Sequence, residues 1–277
     1  MQFHCGKHVL ALSRPLVMGI VNVTPDSFSD GGRYAATELA VAHALKLVEE
    51  GADILDIGGE STRPGAMPVA LEQELSRVIP VITALAQRVS VPISIDTYKP
   101  AVMQAAIAAG ADLVNDVRAL QEPGALEVVA ASTAGVCLMH MQGTPATMQQ
   151  EPHYTDVLTE VATFLQSRKG AATAAGIPAA RIVLDPGFGF GKRSLHNLTL
   201  LQRLPQLGAL GQPLLIGLSR KSVLGQITGN DVDARLHASL AAAVIAAMKG
   251  ASILRVHDVK ATCDALKVVA AVQGELD

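Results

Sequence analysis

The sequence has no tryptophan, and aromatic residues make up only 3 % of it, which leaves few flat side chains on which nucleobases could stack. Cysteine is scarce as well. Cys5, Cys137 and Cys263 are odd in number, far apart and without a Cys-x-x-Cys pattern, which argues against a disulfide framework or a zinc ribbon and fits a reducing, cytoplasmic setting. A net charge of −3 gives no general attraction for nucleic acid or an anionic membrane, so neither is expected as a partner. Any anionic ligand must be held by a local cluster of basic groups. The longest apolar helical stretch, 238–248, is too short to span a bilayer, and the first eight residues carry no signal-peptide core. No proline-rich, serine-rich or charge-run linker interrupts the 277 residues, so one domain spanning 1–277 is expected.

Apolar residues are plentiful, at 49 % against 17 % charged, enough for a large core. They fall into eight short runs, 16–23, 54–57, 93–95, 113–114, 136–139, 182–184, 214–218 and 253–256, each stopping at a polar residue. Between the runs lie amphipathic segments at 37–50, 71–89, 101–109, 124–131, 156–175, 195–204, 234–248 and 261–272. Nearly all-apolar strands alternating with helices imply a parallel sheet buried on both faces. Gly51-Ala52-Asp53, Gly110-Ala111-Asp112 and Gly250-Ala251-Ser252 repeat one device, a glycine that closes a helix just before the next strand. Eight such units close into an α/β (β/α)8 TIM barrel, here 16–272. Residues 1–15 read as a short β-hairpin, turning at Gly6-Lys7, that closes the barrel bottom. His4, Cys5 and His8 lie in it without a fourth ligand and read as turn residues.

A barrel turns the polar residues that end the runs, Asn22, Asp56, Asp96, Asn115, His140, Asp185, Ser219 and His257, into one mouth. The sixth run leads into Asp185-Pro-Gly-Phe-Gly-Phe-Gly-Lys192. Its glycines fit neither a P-loop, because three residues separate Gly187 from Gly191 and Arg193 follows the lysine, nor a dinucleotide fingerprint, because they alternate strictly. The stretch reads as a mobile, backbone-accessible rim holding two phenylalanines beside a carboxylate. Ser219-Arg220-Lys221-Ser222 after the seventh run and Arg255-Val256-His257 at the end of the eighth lie where barrels often bind phosphate, with Arg255 pointing inward. Asp96, Asn115 and Asp185 call for a ligand rich in N–H donors, since a buried carboxylate is costly unless it is paired. Their types do not form a transition-metal set, while a glycosidase-like pair of carboxylates stays open. The loops 22–32 and 58–65 read as lids that exclude water.

Eight motifs, taken in order, resemble the dihydropteroate synthase family of bacterial folate synthesis over about 16–272: Met18-Gly-Ile-Val-Asn-Val-Thr-Pro-Asp-Ser-Phe-Ser-Asp30, Asp56-Ile-Gly-Gly-Glu-Ser-Thr-Arg-Pro-Gly65, Asp96-Thr-Tyr-Lys-Pro100, Asn115-Asp-Val117, Met139-His-Met141, Asp185 to Lys192, Gly217-Leu-Ser-Arg-Lys-Ser222 and Arg255-Val-His-Asp258. The resemblance implies a transferase that condenses 6-hydroxymethyl-7,8-dihydropterin pyrophosphate with p-aminobenzoate, releasing pyrophosphate by a dissociative route. It implies a pterin and pyrophosphate site of Thr62, Asp96, Asn115, Met139, Asp185, Gly217, Lys221, Arg255 and His257. Of these Asp185, Lys221, Arg255 and His257 would be catalytic. It further implies a p-aminobenzoate site of Phe28, Thr62, Arg63, Pro64, Phe188, Phe190, Ser219 and Lys221, with Asp30 pairing with Arg63 as the lids close. Asn22 would hold Mg²⁺, the partner would be a second copy of the chain, and sulfonamides would inhibit, the loop at 188–191 being short and uninterrupted. The alternative is a pterin-binding methyl-transfer domain of a corrinoid system, which has no need of the 219–222 motif. A barrel lyase would need a base, for which His140 is the one candidate, and Met139 and Met141 beside it favour a packed position.

Overall fold

The structure, a computed structural model, describes residues 1–23, 32–61, 65, 67–144 and 147–274, with the backbone alone described at 32–35. The chain opens with an antiparallel hairpin, β1 (Gln2–Cys5) and β2 (His8–Ala11), paired from Gln2 with Ala11 to Cys5 with His8. Eight βα units follow. β3 (Leu16–Asn22) precedes α1 (Gly32–Glu49), β4 (Ile54–Gly58) precedes α2 (Leu71–Ala86), and β5 (Ile93–Asp96) precedes α3 (Pro100–Ala109). Next come β6 (Leu113–Asp116) with α4 (Ala125–Ala130), β7 (Gly135–Met139) with α5 (Val157–Ala174), and β8 (Ile182–Asp185) with α6 (Ser194–Gln202) and α7 (Leu204–Leu207). The last are β9 (Leu215–Ile216) with α8 (Ser222–Thr228) and α9 (Leu236–Met248), then β10 (Ile253–Val256) with α10 (Val259–Gln273).

The eight strands form one parallel sheet in the order β8-β7-β6-β5-β4-β3-β10-β9. A bridge between Leu184 and Leu214, with the Leu184 N–H donating to Pro213 O at 2.9 Å, joins β8 to β9 and closes the barrel. The side-chain period of two then sorts each strand. One set, including Val17, Val21, Leu55, Ile57, Val114, Leu184 and Leu254, faces the helices and forms the larger core cluster. The other set faces the barrel axis. Leu16, Met18, Ile54, Leu113, Cys137, Val183, Leu215 and Ile253 pack there against Phe3 and Cys5 of β1, so the hairpin seals the bottom as expected.

All eight apolar runs are strands. The glycine device is also present: Ala52, Ala111 and Ala251 donate to Leu47 O, Ala106 O and Ala246 O at 2.9, 2.9 and 3.0 Å, while Gly51, Gly110 and Gly250 take φ of 103°, 111° and 93°. Two features differ from the expectation. The segment expected at 195–204 is broken into α6 and α7 where Pro205 follows Leu204, and the seventh run contributes only Leu215–Ile216 as strand before the chain turns into α8.

Candidate active site

The inward parity that places the bottom layer also places the mouth. Two residues beyond Ile54, Leu113, Cys137, Val183, Leu215 and Ile253 stand Asp56, Asn115, Met139, Asp185, Gly217 and Arg255; Asp96 follows Ser94 in the same way, and Asn22 continues the inward set of β3. Register sets Asp96 beside Asn115 and Met139 beside Asp185. A ring of polar groups therefore sits one layer above the apolar plug.

Arg255 is the hub of that ring. Its Nε donates to Asp56 Oδ2 at 2.6 Å and its Nη2 to Asp96 Oδ2 at 2.7 Å, while Asn115 Nδ2 reaches the same Asp56 oxygen at 3.1 Å. Burial alone would lower the Arg255 pKa, but Asp56 and Asp96 outweigh it and hold the guanidinium above its ordinary range. Burial raises the Asp96 carboxyl, with Arg255 opposing and Asp56 adding to the rise. Asp56 is fully buried, and its Oδ1 has no partner among the described residues. An orphaned buried acceptor is expensive unless a ligand donor or water meets it.

Across the mouth Asp185 accepts the Gly187 N–H at 2.7 Å, and burial pushes its pKa up against the pull of Lys221. Lys221 donates to Phe188 O and lies 4.4 Å from the centre of the Phe190 ring. Burial lowers it from 10.5 to about 8, with Asp185 working the other way. A Cβ on Gly217 would come 3.9 Å from Arg255 Cβ and 4.0 Å from Lys221 Nζ, so glycine leaves the gap between the two cations open.

The glycine loop is clamped on every side. Buried Lys192 donates to Gly187 O at 2.9 Å and Phe190 O at 3.0 Å and faces His140 Nδ1 at 2.9 Å. Tyr154 OH donates to Gly191 O and Gln149 Nε2 to Gly189 O, both at 2.7 Å. Burial, reinforced by Lys192, drives the His140 pKa down to about 3, so the imidazole stays neutral; it packs edge-on against Phe164. At the last two strand ends Ser219 Oγ lies 2.9 Å from His257 Nδ1, and the two Asp258 oxygens take Arg220 Nε at 3.0 Å and Nη2 at 2.6 Å. Lys99, between β5 and α3, places its Nζ 2.5 Å from both Glu60 and Glu74 and donates to Val69 O at 2.7 Å, tying both ends of the connection from β4 to α2 to the barrel.

Comparison with known proteins agrees with this arrangement. Residues 18–257 match the family model described as pterin binding enzyme. The chain is 54 % identical over 262 residues to the dihydropteroate synthase of Escherichia coli K12, covering 95 % of this chain and 93 % of that one. The chain belongs to the dihydropteroate synthase family. A Yersinia pestis dihydropteroate synthase solved with a sulfonamide superposes with a TM-score of 0.94 at 51 % identity, covering 99 % of this chain and 100 % of that one. One from Xanthomonas albilineans, solved with 4-aminobenzoic acid, gives 0.93 at 56 % identity and 98 % of each chain.

Of the residues the dihydropteroate synthase resemblance points to, Asn22, Asp96, Asn115, Met139, Asp185, Gly217, Ser219, Lys221, Arg255 and His257 share the mouth, with Phe190 on its rim. Phe28, Asp30, Thr62, Arg63 and Pro64 lie outside the described residues. Phe188 departs from expectation: its side chain is fully buried in the helix-facing core, and what it offers the mouth is its carbonyl. Nor is 187–191 a mobile rim, given the clamp just described. Arg220 does not join the basic cluster, because Asp258 takes its charge. Three groups escaped the sequence reading. Asp56 looked like one strand end among eight, Lys192 like a motif terminus, and Lys99 like an interior residue of the Asp96–Pro100 motif; strand parity could have found Asp56, whereas the lysine contacts arise only from the folded loops.

Proposed function

We propose that the chain joins 6-hydroxymethyl-7,8-dihydropterin pyrophosphate to p-aminobenzoate, forming 7,8-dihydropteroate and pyrophosphate. What carries the reading is the ring itself: Asp56, Asp96, Asn115 and Asp185 face one cavity together with Arg255 and Lys221. Acceptors in the floor suit the N–H-rich edge of a pterin, and cations beside them suit its diphosphate. Asp185 and Asn115 read the aminopyrimidinone edge, Asp96 the far side of the ring, and Lys221 the pterin carbonyl. Of the five N–H donors of Arg255, two bind Asp56 and Asp96, which leaves three for the ring face and the leaving group. His257, with Ser61 and Thr62, holds the diphosphate.

Departure of pyrophosphate leaves a cation on the pterin methylene, which the electron-rich ring delocalises and the aromatic amine then captures. Arg255 and His257 stabilise the charge that develops on the leaving oxygens. Phe28, Arg63, Pro64 and Phe190 enclose the arylamine, and Ser219 and Lys221 meet its carboxylate. Mg²⁺ fits only as a shared ion. Asn22 offers one amide oxygen, 3.9 Å from a Cβ built on Gly58, and among the described residues no group of three or more acids, histidines or cysteines is placed to hold a metal ion. Phosphate and water oxygens would supply its other ligands, and the ion would neutralise diphosphate charge.

The chain pairs with a second copy through α6, α8 and α9, neighbouring helices that expose Leu195, Leu198, Ile227, Ile245 and Met248; light scattering on the purified protein tests this. No described helix is long and apolar enough to cross a membrane, and the three cysteines are unpaired, which supports a cytoplasmic site of action. The deciding assay follows pyrophosphate release. It should require both substrates and be inhibited by a sulfonamide competitively with p-aminobenzoate. Steady-state release that p-aminobenzoate does not increase, or turnover unaffected by saturating sulfonamide, would refute the assignment.

A further inference from the structure

Arg220 stands between Ser219 and Lys221 yet faces away from the mouth. Its φ of 57° lies in the left-handed region, which a residue with a Cβ occupies only when its surroundings impose it. Here they do. The Arg220 N–H donates to Ser239 Oγ at 2.9 Å, its carbonyl accepts from Arg235 Nη1 at 3.0 Å, and its guanidinium forks onto Asp258. With residue 220 turned outward, Lys221 N closes a tight turn onto Leu218 O at 3.2 Å, and Ser219 and Lys221 both reach the mouth. Asp258 directly follows His257, so two consecutive rungs, Ser219 to His257 and Arg220 to Asp258, join the loop after β9 to the loop after β10.

We propose that Arg220 is a positioning residue: with Asp258 it latches these two loops so that the groups meeting p-aminobenzoate, Ser219 and Lys221, stay in register with His257, which meets the diphosphate. The proposal rests on the roles given to those three residues above. Arg220 is assigned no contact with substrate, because Asp258 already neutralises its guanidinium and holds it turned away from the mouth.

Arg220→Gly and Asp258→Asn test the latch. Glycine adopts the left-handed conformation freely, so the first variant removes the ion pair without forcing the backbone out of its turn. Each variant should lower kcat/KM for p-aminobenzoate at least tenfold. Affinity for the pterin ring by calorimetry, to which Asp96, Asn115 and Asp185 contribute besides Lys221, should fall by a smaller factor than kcat/KM, and the melting temperature of Arg220→Gly should stay close to that of the wild type. A general packing role would move melting temperature and pterin affinity together with kcat/KM, and that result would overturn the proposal. So would unchanged kcat/KM in Arg220→Gly. If Arg220 bound the arylamine carboxylate directly, Asp258→Asn would free it and lower KM, again overturning the latch. A wild-type protein that releases no pyrophosphate would refute the assigned reaction and the latch together, whereas an active wild type with unaffected variants would refute the latch alone.

Discussion

Gly187 and Gly189 lie two residues apart in the same loop, and their replacement by alanine should fail in different ways. Both have positive φ, 68° and 79°, so a Cβ costs each roughly 1–2 kcal/mol in backbone conformation. The surroundings then separate them. A Cβ on Gly187 would fall inside the His140 carbonyl oxygen and 3.0 Å from its carbon, and that backbone is held in place by the His140 N–H bonded to Asp185 O at 2.9 Å. The loop must move, which pulls Gly187 N from Asp185 and Gly187 O from Lys192, at about 1–3 kcal/mol for each buried group left unpaired. With the conformational cost the total is roughly 3–8 kcal/mol, a fall in melting temperature on the order of 10–20 °C for a chain of this size. A Cβ on Gly189 would instead meet Lys221 Cδ at 3.1 Å, the middle of a flexible side chain that can swing aside. Gly189→Ala should therefore melt only a few degrees lower, yet displace Lys221 and raise KM for p-aminobenzoate about tenfold, the loss of one charge-assisted hydrogen bond. Scanning calorimetry and steady-state kinetics on both variants decide the matter. Equal melting temperatures, or a Gly189→Ala enzyme with unaltered KM, would refute the reasoning.

Asp185→Asn should weaken pterin binding by about 1–3 kcal/mol, the range for a hydrogen bond to a charged buried group, read by calorimetry; unchanged affinity contradicts its place in the floor. Lys221 titrates near 8 when folded against 10.5 ordinarily, so between those values the unfolded chain binds more protons and the contribution of this residue to stability rises with pH. Urea unfolding at pH 7.5 and 10 should show wild type gaining up to about 3 kcal/mol relative to Lys221→Met, and a constant difference would count against the buried cation. Phe3→Ala, at a fully buried position under the barrel, should cost about 3–5 kcal/mol of stability and leave the substrate KM values alone, which separates the plug from the mouth.

The fold was legible because every unit repeats the same solvent logic. A run such as 182–184, apolar on both parities, can lie only between two hydrophobic surfaces, and eight of them with helices between leave few topologies. α8 was not legible: seven residues containing Gly225 and polar Gln226 carry no clear helical periodicity, and the helix forms because the turn at Arg220 launches it. Phe188 and Phe190 illustrate a second limit. Strict glycine alternation makes them look equivalent, yet the left-handed Gly189 between them sends one ring into the core and leaves the other beside Lys221.

The location of the chemistry follows from strand parity combined with the plug. Inward positions at the bottom layer are covered by Phe3 and Cys5, so an acid there would be buried without partner or water, at a cost of several kcal/mol on the order usual for buried ions. One layer up the same inward positions open to the mouth, where Asp56 and Asp96 neutralise Arg255 and Asp185 faces Lys221. That set holds three carboxylates against two cations. A single acid in excess, with Asp56 Oδ1 left without a donor, is what a neutral ring rich in N–H groups satisfies; its diphosphate must be held instead by groups nearer the rim, where His257 stands and Arg255 has donors to spare.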